Sequence, residues 1–148
     1  MSLTGRIIRF FVEQRAANVT LDEVRTQLSE SAEQIAGRME QAADTPANRA
    51  QAGHVIGLER WGDHRLRVAL GEPFIRDEYD AYRPAPSLGM PALAQDFRIT
   101  RRDTIALLDR LHPVAGQRVP HNDLGEMSVT AWLVYLNNHA NRESQKLK

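Results

Sequence analysis

Apolar residues recur at helical spacing along the first third of the chain. The repeating positions are Leu21, Val24, Leu28, Ile35 and Met39. Steps of three, four or seven residues place side chains on one face of a helix, so a helix that buries this face is predicted over residues 20–43. Thr20, followed three positions later by Glu23, has the pattern of a capping box and predicts the start of that helix.

Helix-start and helix-stop residues predict a second and a third long helix. Thr45 has the pattern of an N-cap, Pro46 occupies the first turn, and Gly71 is the predicted stop. The third helix is predicted to open at Pro91 and to close before Pro113, because proline fits the first turn of a helix but not its interior.

A fourth long helix is predicted from Ser128 onward, after a loop that covers residues 113–127. Residues 3–17 are predicted to form a further short helix or an arm. The apolar surface of this segment is supplied by Ile7, Ile8, Phe10 and Phe11. Together these elements predict an all-α fold in one domain, residues 1–148, in which residues 1–18 are the N-terminal arm or short helix.

The lengths of the connections limit how the four long helices can pack. The connection between the first two helices is short, so these helices are predicted to be antiparallel neighbours. The next connection, residues 72–90, contains several prolines and has no helical period. About 20 residues at roughly 3.3 Å each can span a whole helix, so this segment is predicted to cross over and let the third helix run parallel to the second. The predicted topology is an up-down-down-up four-helix bundle.

Charge and composition narrow the classes of function. Lysine plus arginine and aspartate plus glutamate each number 19, so the net charge is zero and a nucleic-acid partner is not expected. The chain has no cysteine, which excludes disulfides, thiolate metal ligands and cysteine nucleophiles. No apolar run approaches the roughly 18 residues of a membrane span, so no membrane partner is expected and the predicted compartment is the cytoplasm.

One stripe on the last predicted helix changes from apolar to polar. Its members are Trp132, Leu136, His139 and Glu143, which share one helical face. The second helix has a similar stripe with His54 near its start. If the two helices are antiparallel, His54, His139 and Glu143 meet at one end of the bundle. Two imidazoles and a carboxylate with an open fourth position are typical of catalytic zinc and also accept nickel, manganese or iron. The alternative from spacing alone is a polar pair on a solvated helix end.

Two further residues are candidates for accessory roles. His121 lies in the loop before the last helix, where it is a candidate acid, base or lid residue; the alternative is a turn that precedes the Ser128 cap. Arg65 lies on the inner stripe of the second helix and needs a partner. Asp96, Glu143 or an anionic substrate are the candidates for that partner.

Two charged stretches are predicted to have structural rather than catalytic roles. Glu59 lies about 140° around the helix from His54, so it is not expected to be a metal ligand. It is predicted to be solvated or to pair between helices. The sequence "RRDT" at residues 101–104 is predicted to be a charged face of the third helix.

Three stretches of the chain resemble one known superfamily. They are "GHVIGLERWGDHRLRVALGEP", "DEYDAYRP" and "HNDLGEMSVTAWLVYLNNHANRESQ". A helix histidine followed by Glu and Arg, an "LGEP"-type exit, a long crossover and a histidine-bearing last helix are similar to the pattern of the DinB-like (YfiT-like) superfamily of metal-dependent enzymes. The resemblance runs from about residue 20 through the last helix.

The resemblance implies an up-down-down-up four-helix bundle that commonly forms a homodimer. The metal ligands in that family are a histidine on the second helix and an H-x-x-x-H pair on the last helix. At the matching positions this chain has His54 and His139, but Glu143 stands where the second histidine of the pair is expected. Part of the dimer contact is predicted to involve the N-terminal arm with Phe10 and Phe11; the alternative is that the arm caps the bundle.

Relatives of known activity imply a low-molecular-weight thiol or another small molecule as substrate. The expected function is a divalent-metal-dependent enzyme, an S-transferase or a hydrolase, in which His121 and Arg65 are accessory residues. The alternative is a non-enzymatic dimeric bundle that has lost the metal and has a binding or stress-associated role. The replacement of a histidine by Glu143 favours this alternative.

Overall fold

The computed structural model describes residues 2–148, and these residues are mostly helical. The α-helices are α1 (Leu3–Ala16), α2 (Leu21–Gln41), α3 (Pro46–Leu66), α4 (Met90–Leu111) and α5 (Val129–Ser144). The strands are β1 (Arg118–His121) and β2 (Gly125–Ser128), which form a two-stranded sheet. The prediction of an all-α fold is confirmed at this level, with a small hairpin added to it.

Three of the four predicted starts of long helices are confirmed by side-chain caps, whereas α4 begins at Met90, one residue before the predicted Pro91, and has no such cap. The Thr20 hydroxyl accepts from the backbone N–H of Glu23, and the Glu23 carboxylate accepts from the backbone N–H of Thr20, so both halves of the capping box are present. Thr45 caps α3 and Ser128 caps α5 by accepting from the backbone N–H three residues on. These bonds satisfy N–H groups that have no partner inside the helix.

The predicted stop of the second long helix is also confirmed, although its last turn changes type. After α3 the chain continues as a 3-10 turn, Arg67–Leu70. Gly71 then adopts φ 98°, in the left-handed region that favours glycine, and its N–H bonds the Val68 carbonyl. A glycine at the end of a helical pattern is therefore a stop signal that the sequence carries locally.

The long helices α2 and α3 pack mainly against α4 and α5 rather than against each other. The prediction that the two are neighbours is therefore wrong, because a short connection brings the ends of helices together but does not fix which faces meet. The apolar faces of these four helices form two buried clusters. One contains Leu28, Leu58 and Trp132, and the other contains Ile35, Ile56 and Phe97.

The predicted loop before the last helix contains a hairpin, so the expectation of a simple loop is wrong. Strands β1 and β2 are antiparallel and His121 pairs with Gly125, whose φ of 75° closes the turn. Val119 and Met127 face each other in this ladder and are fully buried. The Trp132 indole N–H donates to the Val119 carbonyl, which fixes the hairpin to α5. Strands of four residues have too few alternating positions to be recognised in the sequence.

The N-terminal segment, predicted to be a short helix or an arm, forms the helix. The helix α1 buries Gly5, Val12 and Ala16 against α5 and the hairpin. The four residues predicted to supply its apolar surface, Ile7, Ile8, Phe10 and Phe11, are all exposed. Within residues 2–148, no helix combines the length and the apolar composition needed to cross a membrane.

The long connection between α3 and α4 lies closely on α3 over part of its length. It contains a 3-10 turn, Tyr79–Tyr82, that packs on α3 next to Gly57. A Cβ atom at Gly57 would lie 2.9 Å from Cγ of Arg83 and 3.1 Å from the Tyr79 carbonyl oxygen. Only glycine leaves room for this approach, which holds the connection against the helix that carries His54.

Candidate metal centre

Two of the predicted metal ligands meet side by side. His54 comes from the first half of α3 and His139 from the second half of α5. Their Nε2 atoms lie 3.1 Å apart, and the two ring planes are inclined at 61°. The ring of Tyr79 also packs nearly perpendicular to that of His54, with 5.0 Å between the ring centroids. The expectation that the start of α3 lies beside the end of α5 is confirmed for these two residues.

The inward direction of the polar stripe on α5 is confirmed as well. Trp132, Leu136, His139 and Glu143 are all buried. Leu136 packs so closely on Gly62 of α3 that a Cβ atom there would lie 2.4 Å from the Cδ2 of the leucine. The missing side chain at Gly62 therefore lets α3 and α5 approach, and this approach brings the two imidazoles together.

Both imidazoles are neutral at physiological pH. Burial and the adjoining His54 ring lower the pKa of His139 to about 3. Burial also lowers the pKa of His54. Desolvation has this effect because it disfavours the charged form of a histidine. A neutral imidazole has a lone pair on one nitrogen, which is the form that binds metals. The Nδ1 atom of His139 is buried and has no hydrogen-bond partner in the described part of the chain.

The carboxylate of Glu143 is held by other partners. Gln51 and the Lys146 ammonium donate to its Oε2 atom at 3.0 and 2.6 Å, and Arg142 donates to Oε1 at 3.1 Å. Burial raises the pKa of this carboxyl, but the hydrogen bonds from Lys146 and Gln51 outweigh burial and lower the pKa to about 2. Among residues 2–148, no three side chains of the His, Cys, Asp or Glu types converge as a metal-holding group.

The two histidines are placed to bind one shared metal ion, whereas Glu143 is less well suited to bind that ion. Metal–nitrogen bonds of about 2.0–2.1 Å to two atoms 3.1 Å apart would meet at an angle of about 100°. This angle lies between the tetrahedral and octahedral values, so the pair suits either geometry. Glu143, by contrast, already accepts from three donors, and each bond to a metal would compete with one of them.

His121 lies away from the histidine pair, at the end of β1. Its Nδ1 atom accepts from the backbone N–H groups of Asp123 and Leu124 at 3.1 and 3.3 Å, so the neutral ring carries its proton on Nε2. That Nε2–H group is buried and has no acceptor within residues 2–148. Burial lowers the pKa of His121 to about 4, and the rings of Trp61 and Trp132 pack around it.

Arg65 has a different partner from those expected. Its Nη2 atom lies 3.0 Å from Oδ1 of Asp77, in the long connection, and also donates to Oδ1 of Asn122 at 3.0 Å. The expected partners are engaged elsewhere, since Asp96 pairs with Arg60 and Glu143 pairs with Lys146. Sequence spacing could not find Asp77, because this residue reaches α3 only through the path of the connection.

The contacts of Arg65 tie together segments that are distant in the sequence. Its guanidinium lies between the rings of Trp61 and Phe74, at 4.8 and 4.6 Å from their centroids. Asn122, to which it donates, directly follows His121 in the hairpin turn. Arg65 therefore acts on the neighbourhood of His121 as a positioning residue, through its neighbour rather than by touching the histidine pair.

A buried polar network that the sequence did not reveal lies between α3 and α4. Arg101 is fully buried, and its guanidinium forms two parallel bonds with Glu59, of 2.5 and 2.9 Å. The prediction that "RRDT" is a charged face is therefore wrong at Arg101, although Arg102 and Asp103 are exposed. Of the two predicted states of Glu59, pairing between helices is confirmed.

Comparison with known proteins adds no family to this geometry. No family model matches the chain, and neither does any of the curated proteins or solved structures that were compared with it. The chemistry available to the chain therefore follows from its own residues. These are a neutral histidine pair suited to one ion, a nearby carboxylate, and a buried histidine with a free N–H group.

Proposed function

We propose that the protein is a divalent-metal-dependent enzyme of the DinB-like type, built on an up-down-down-up four-helix bundle. Contacts between residues support the directions of the first and third long helices in this topology. Arg25 pairs with Asp109, and Arg98 pairs with Glu40 farther along α2. Residue numbers rise on α2 as they fall on α4, so these two helices are antiparallel.

The second and fourth long helices are oriented by similar pairs. Arg60 bonds Asp96, and Asp63 accepts from Thr104, so numbers rise together on α3 and α4. Gln51 contacts Glu143, whereas Leu136 packs on Gly62, so α5 runs against α3. These orders support the up-down-down-up bundle that the connection lengths predicted.

The observation that carries the proposed function is the distance of 3.1 Å between the Nε2 atoms of His54 and His139. These two residues would hold the ion, and Glu143 would be the third ligand or would balance its charge. Zinc, nickel, manganese or iron suits this ligand set. A divalent ion would supply Lewis acidity that lowers the pKa of a water or a thiol. We propose a low-molecular-weight thiol as substrate and S-transfer or hydrolysis as the reaction, in the cytoplasm.

Residues outside the histidine pair have supporting roles in this proposal. His121, with its proton fixed on Nε2, would donate a hydrogen bond rather than accept a proton at neutral pH. Arg65 would keep the hairpin turn beside His121 in place through Asn122.

Metal analysis tests the proposal directly. Tag-free protein, purified without added metal and then loaded with Zn²⁺ or Ni²⁺, is expected to retain about one ion per chain. His54→Ala and His139→Ala are each expected to lower retention at least about tenfold, because each removes a ligand. His112→Ala, a histidine distant from the pair, is the control. Equal retention in the wild type and both ligand variants would refute the metal site.

A second candidate function is favoured by the three donors that hold Glu143. A carboxylate already satisfied by Gln51, Lys146 and Arg142 needs no metal. In this candidate the chain is a non-enzymatic homodimeric bundle with a binding or stress-associated role, and the His54–His139 contact is a partly buried hydrogen bond. A wild-type protein that retains no ion would support this candidate.

For either function we propose a homodimer in which α1 contributes to the contact. Leu3 and Phe10 are exposed by 74% and 63% on this helix, and both lie outside its packing against α5. Exposed apolar residues clustered on one helix are typical of surfaces that bind another protein. Two copies that bury these side chains against each other would remove this apolar area from water.

A further inference from the structure

A cavity lies between α1, the hairpin and α5. Its volume is about 510 Å³, within the range of small-molecule sites. One wall comes from α1, and its apolar side chains are Ile7, Ile8, Phe11 and Val12. Three of these residues, Ile7, Ile8 and Phe11, are exposed, and the packing of α1 against the rest of the chain does not explain their exposure. Of the candidate metal ligands the cavity touches only His139, so it lies beside the histidine pair and is largely built from other residues.

The opposite wall of the cavity carries polar groups. His121 and Tyr135 line it, together with Asn138 at the surface. Its charged members are Asp123 and Arg142, one of each sign. The lining therefore has an apolar wall, several hydrogen-bonding groups and no net charge. These properties favour an uncharged ligand with an apolar body over an anion or a cation.

His121, a residue of this wall, carries a buried N–H donor that has no acceptor in the described part of the chain. Its proton is fixed on Nε2 because Nδ1 accepts from the turn, and the Nε2–H group has no acceptor in the part of the chain that is described. A buried donor without an acceptor costs about 1–3 kcal/mol, so native proteins seldom leave one unsatisfied. A ligand carbonyl oxygen is a matching acceptor for such a donor.

We propose that this cavity binds an uncharged small molecule that consists of an apolar body and a carbonyl group, with the carbonyl oxygen accepting from Nε2–H of His121. The body would lie against Ile8 and Phe11 of α1. This site goes beyond the proposed metal centre, because neither His54 nor Glu143 lines the cavity. The proposal also gives α1 a role in ligand binding, in addition to its packing against α5 and the hairpin.

Acetophenone and ethylbenzene are a matched pair of probes, because they share the ring and differ in the carbonyl oxygen. Binding is measured on chelator-treated, metal-free protein, so that failure of the metal proposal cannot affect the result. The reporters are the indole N–H signals of Trp61 and Trp132 in proton–nitrogen NMR spectra. These are the two tryptophans of the chain, and their rings lie 5.1 and 5.0 Å from that of His121. Both probes are expected to shift these signals in a saturable way.

Two variants of His121 test the hydrogen bond. His121→Phe keeps a ring of similar size but has no donor, and His121→Asn keeps an oxygen that can accept from the turn but lacks Nε2–H. In both, the preference for acetophenone over ethylbenzene is expected to fall by about two- to tenfold, the value of one neutral hydrogen bond. An unchanged preference in a folded variant would overturn the assignment of His121.

Two charge substitutions on α1 test the position of the ligand. Ile8→Asp places a carboxylate in the apolar wall and is expected to weaken both probes at least about tenfold. Gln14→Asp, exposed on the same helix but outside the lining and outside the proposed dimer contact, is expected to leave both affinities within about twofold. Equal weakening by both substitutions, or no saturable shift in the wild type, would refute a defined site in this cavity.

Discussion

The guanidinium of Arg101 and the carboxylate of Glu59 form a two-pronged ion pair in the middle of the helical core. Both side chains are almost completely shielded from solvent. The Nη1 group of Arg101 donates to the Leu28 carbonyl and to the side chains of Ser31 and Asn137. Arg101 of α4 thus links α3, α2 and α5 through one group. A buried pair with this many hydrogen-bond partners stabilises one arrangement of the four helices.

Breaking this pair from one side is expected to be costly. Arg101→Met leaves the Glu59 carboxylate buried without its cation and is expected to lower the free energy of unfolding by about 3–5 kcal/mol. The double variant Glu59→Leu/Arg101→Met is expected to be more stable than Arg101→Met alone, because it leaves no unpaired charge. Urea unfolding followed by circular dichroism measures both. Arg102→Met, at an exposed neighbouring position, serves as control, and an equal loss there would contradict the argument.

Close contact between α3 and α5 is expected to depend on Gly62. Gly62→Ala would place a Cβ atom 2.4 Å from Cδ2 of Leu136, so the leucine side chain must shift or the helices must move apart. The expected loss is about 1–3 kcal/mol, the usual cost of overpacking. Gly37→Ala in α2 is the matched control, because no atom lies within 4 Å of its added Cβ. It is expected to be neutral or stabilising by up to about 1 kcal/mol. Thermal unfolding of both variants compares the two glycines, and equal stability would contradict the contact.

Variants of the two lysines of the chain test whether Glu143 binds the metal or has only a structural role. Lys146→Met removes the ammonium that lies 2.6 Å from Oε2 of Glu143, so the carboxylate becomes freer to face an ion. Affinity for Zn²⁺, measured by competition with a chelator, is expected to rise about fivefold, which corresponds to about 1 kcal/mol for one removed unit charge. Lys148→Met is the control. If the two variants bind Zn²⁺ equally, Glu143 has no part in the site.

The stability of the fold is expected to fall in mild acid because His121 resists protonation. Burial lowers the pKa of His121 to about 4, while the unfolded chain protonates it near its ordinary value of about 6.5. Between these values the unfolded state binds more protons. The free energy of unfolding therefore rises with pH across this window and is fully restored above it.

The variant His121→Asn isolates this contribution to the pH dependence. Its plot of unfolding free energy against pH is expected to be shallower than that of the wild type by up to one proton, about 1.4 kcal/mol per pH unit between roughly pH 4 and 6.5. The pKa values of His54 and His139 are also lowered, so these two residues contribute to the slope of unfolding free energy against pH in both proteins. Parallel plots over this range would show that His121 protonates equally in both states.

The proposed dimer is expected to depend on the exposed face of α1. Phe10→Asp places a charge among apolar side chains and is expected to weaken self-association at least about tenfold in sedimentation experiments. Gln14→Asp, an exposed position on the same helix, is the control for added charge. A wild-type protein that sediments as a monomer at all concentrations would exclude this contact.

The sequence by itself determined the starts of α2, α3 and α5 and the stop that follows α3. Thr20 with Glu23, Thr45, Gly71 and Ser128 mark helix ends because caps satisfy backbone groups within a few residues of themselves. The apolar spacing also predicted that His139 and Glu143 face inward, since the helical period fixes which residues share a face. All of these signals are local, and for this reason they could be read without the fold.

Only the tertiary structure decided which groups meet. Arg101 is buried because Glu59, 42 positions away, neutralises it, and Arg65 finds Asp77 because the connection returns along α3. The 3.1 Å contact between His54 and His139 depends on how closely Gly62 lets two helices approach. Partners brought together by packing leave no periodic trace in a single chain. The residues of the candidate site could therefore be named from the sequence, whereas the donors that hold Glu143 and the cavity beside His121 could not.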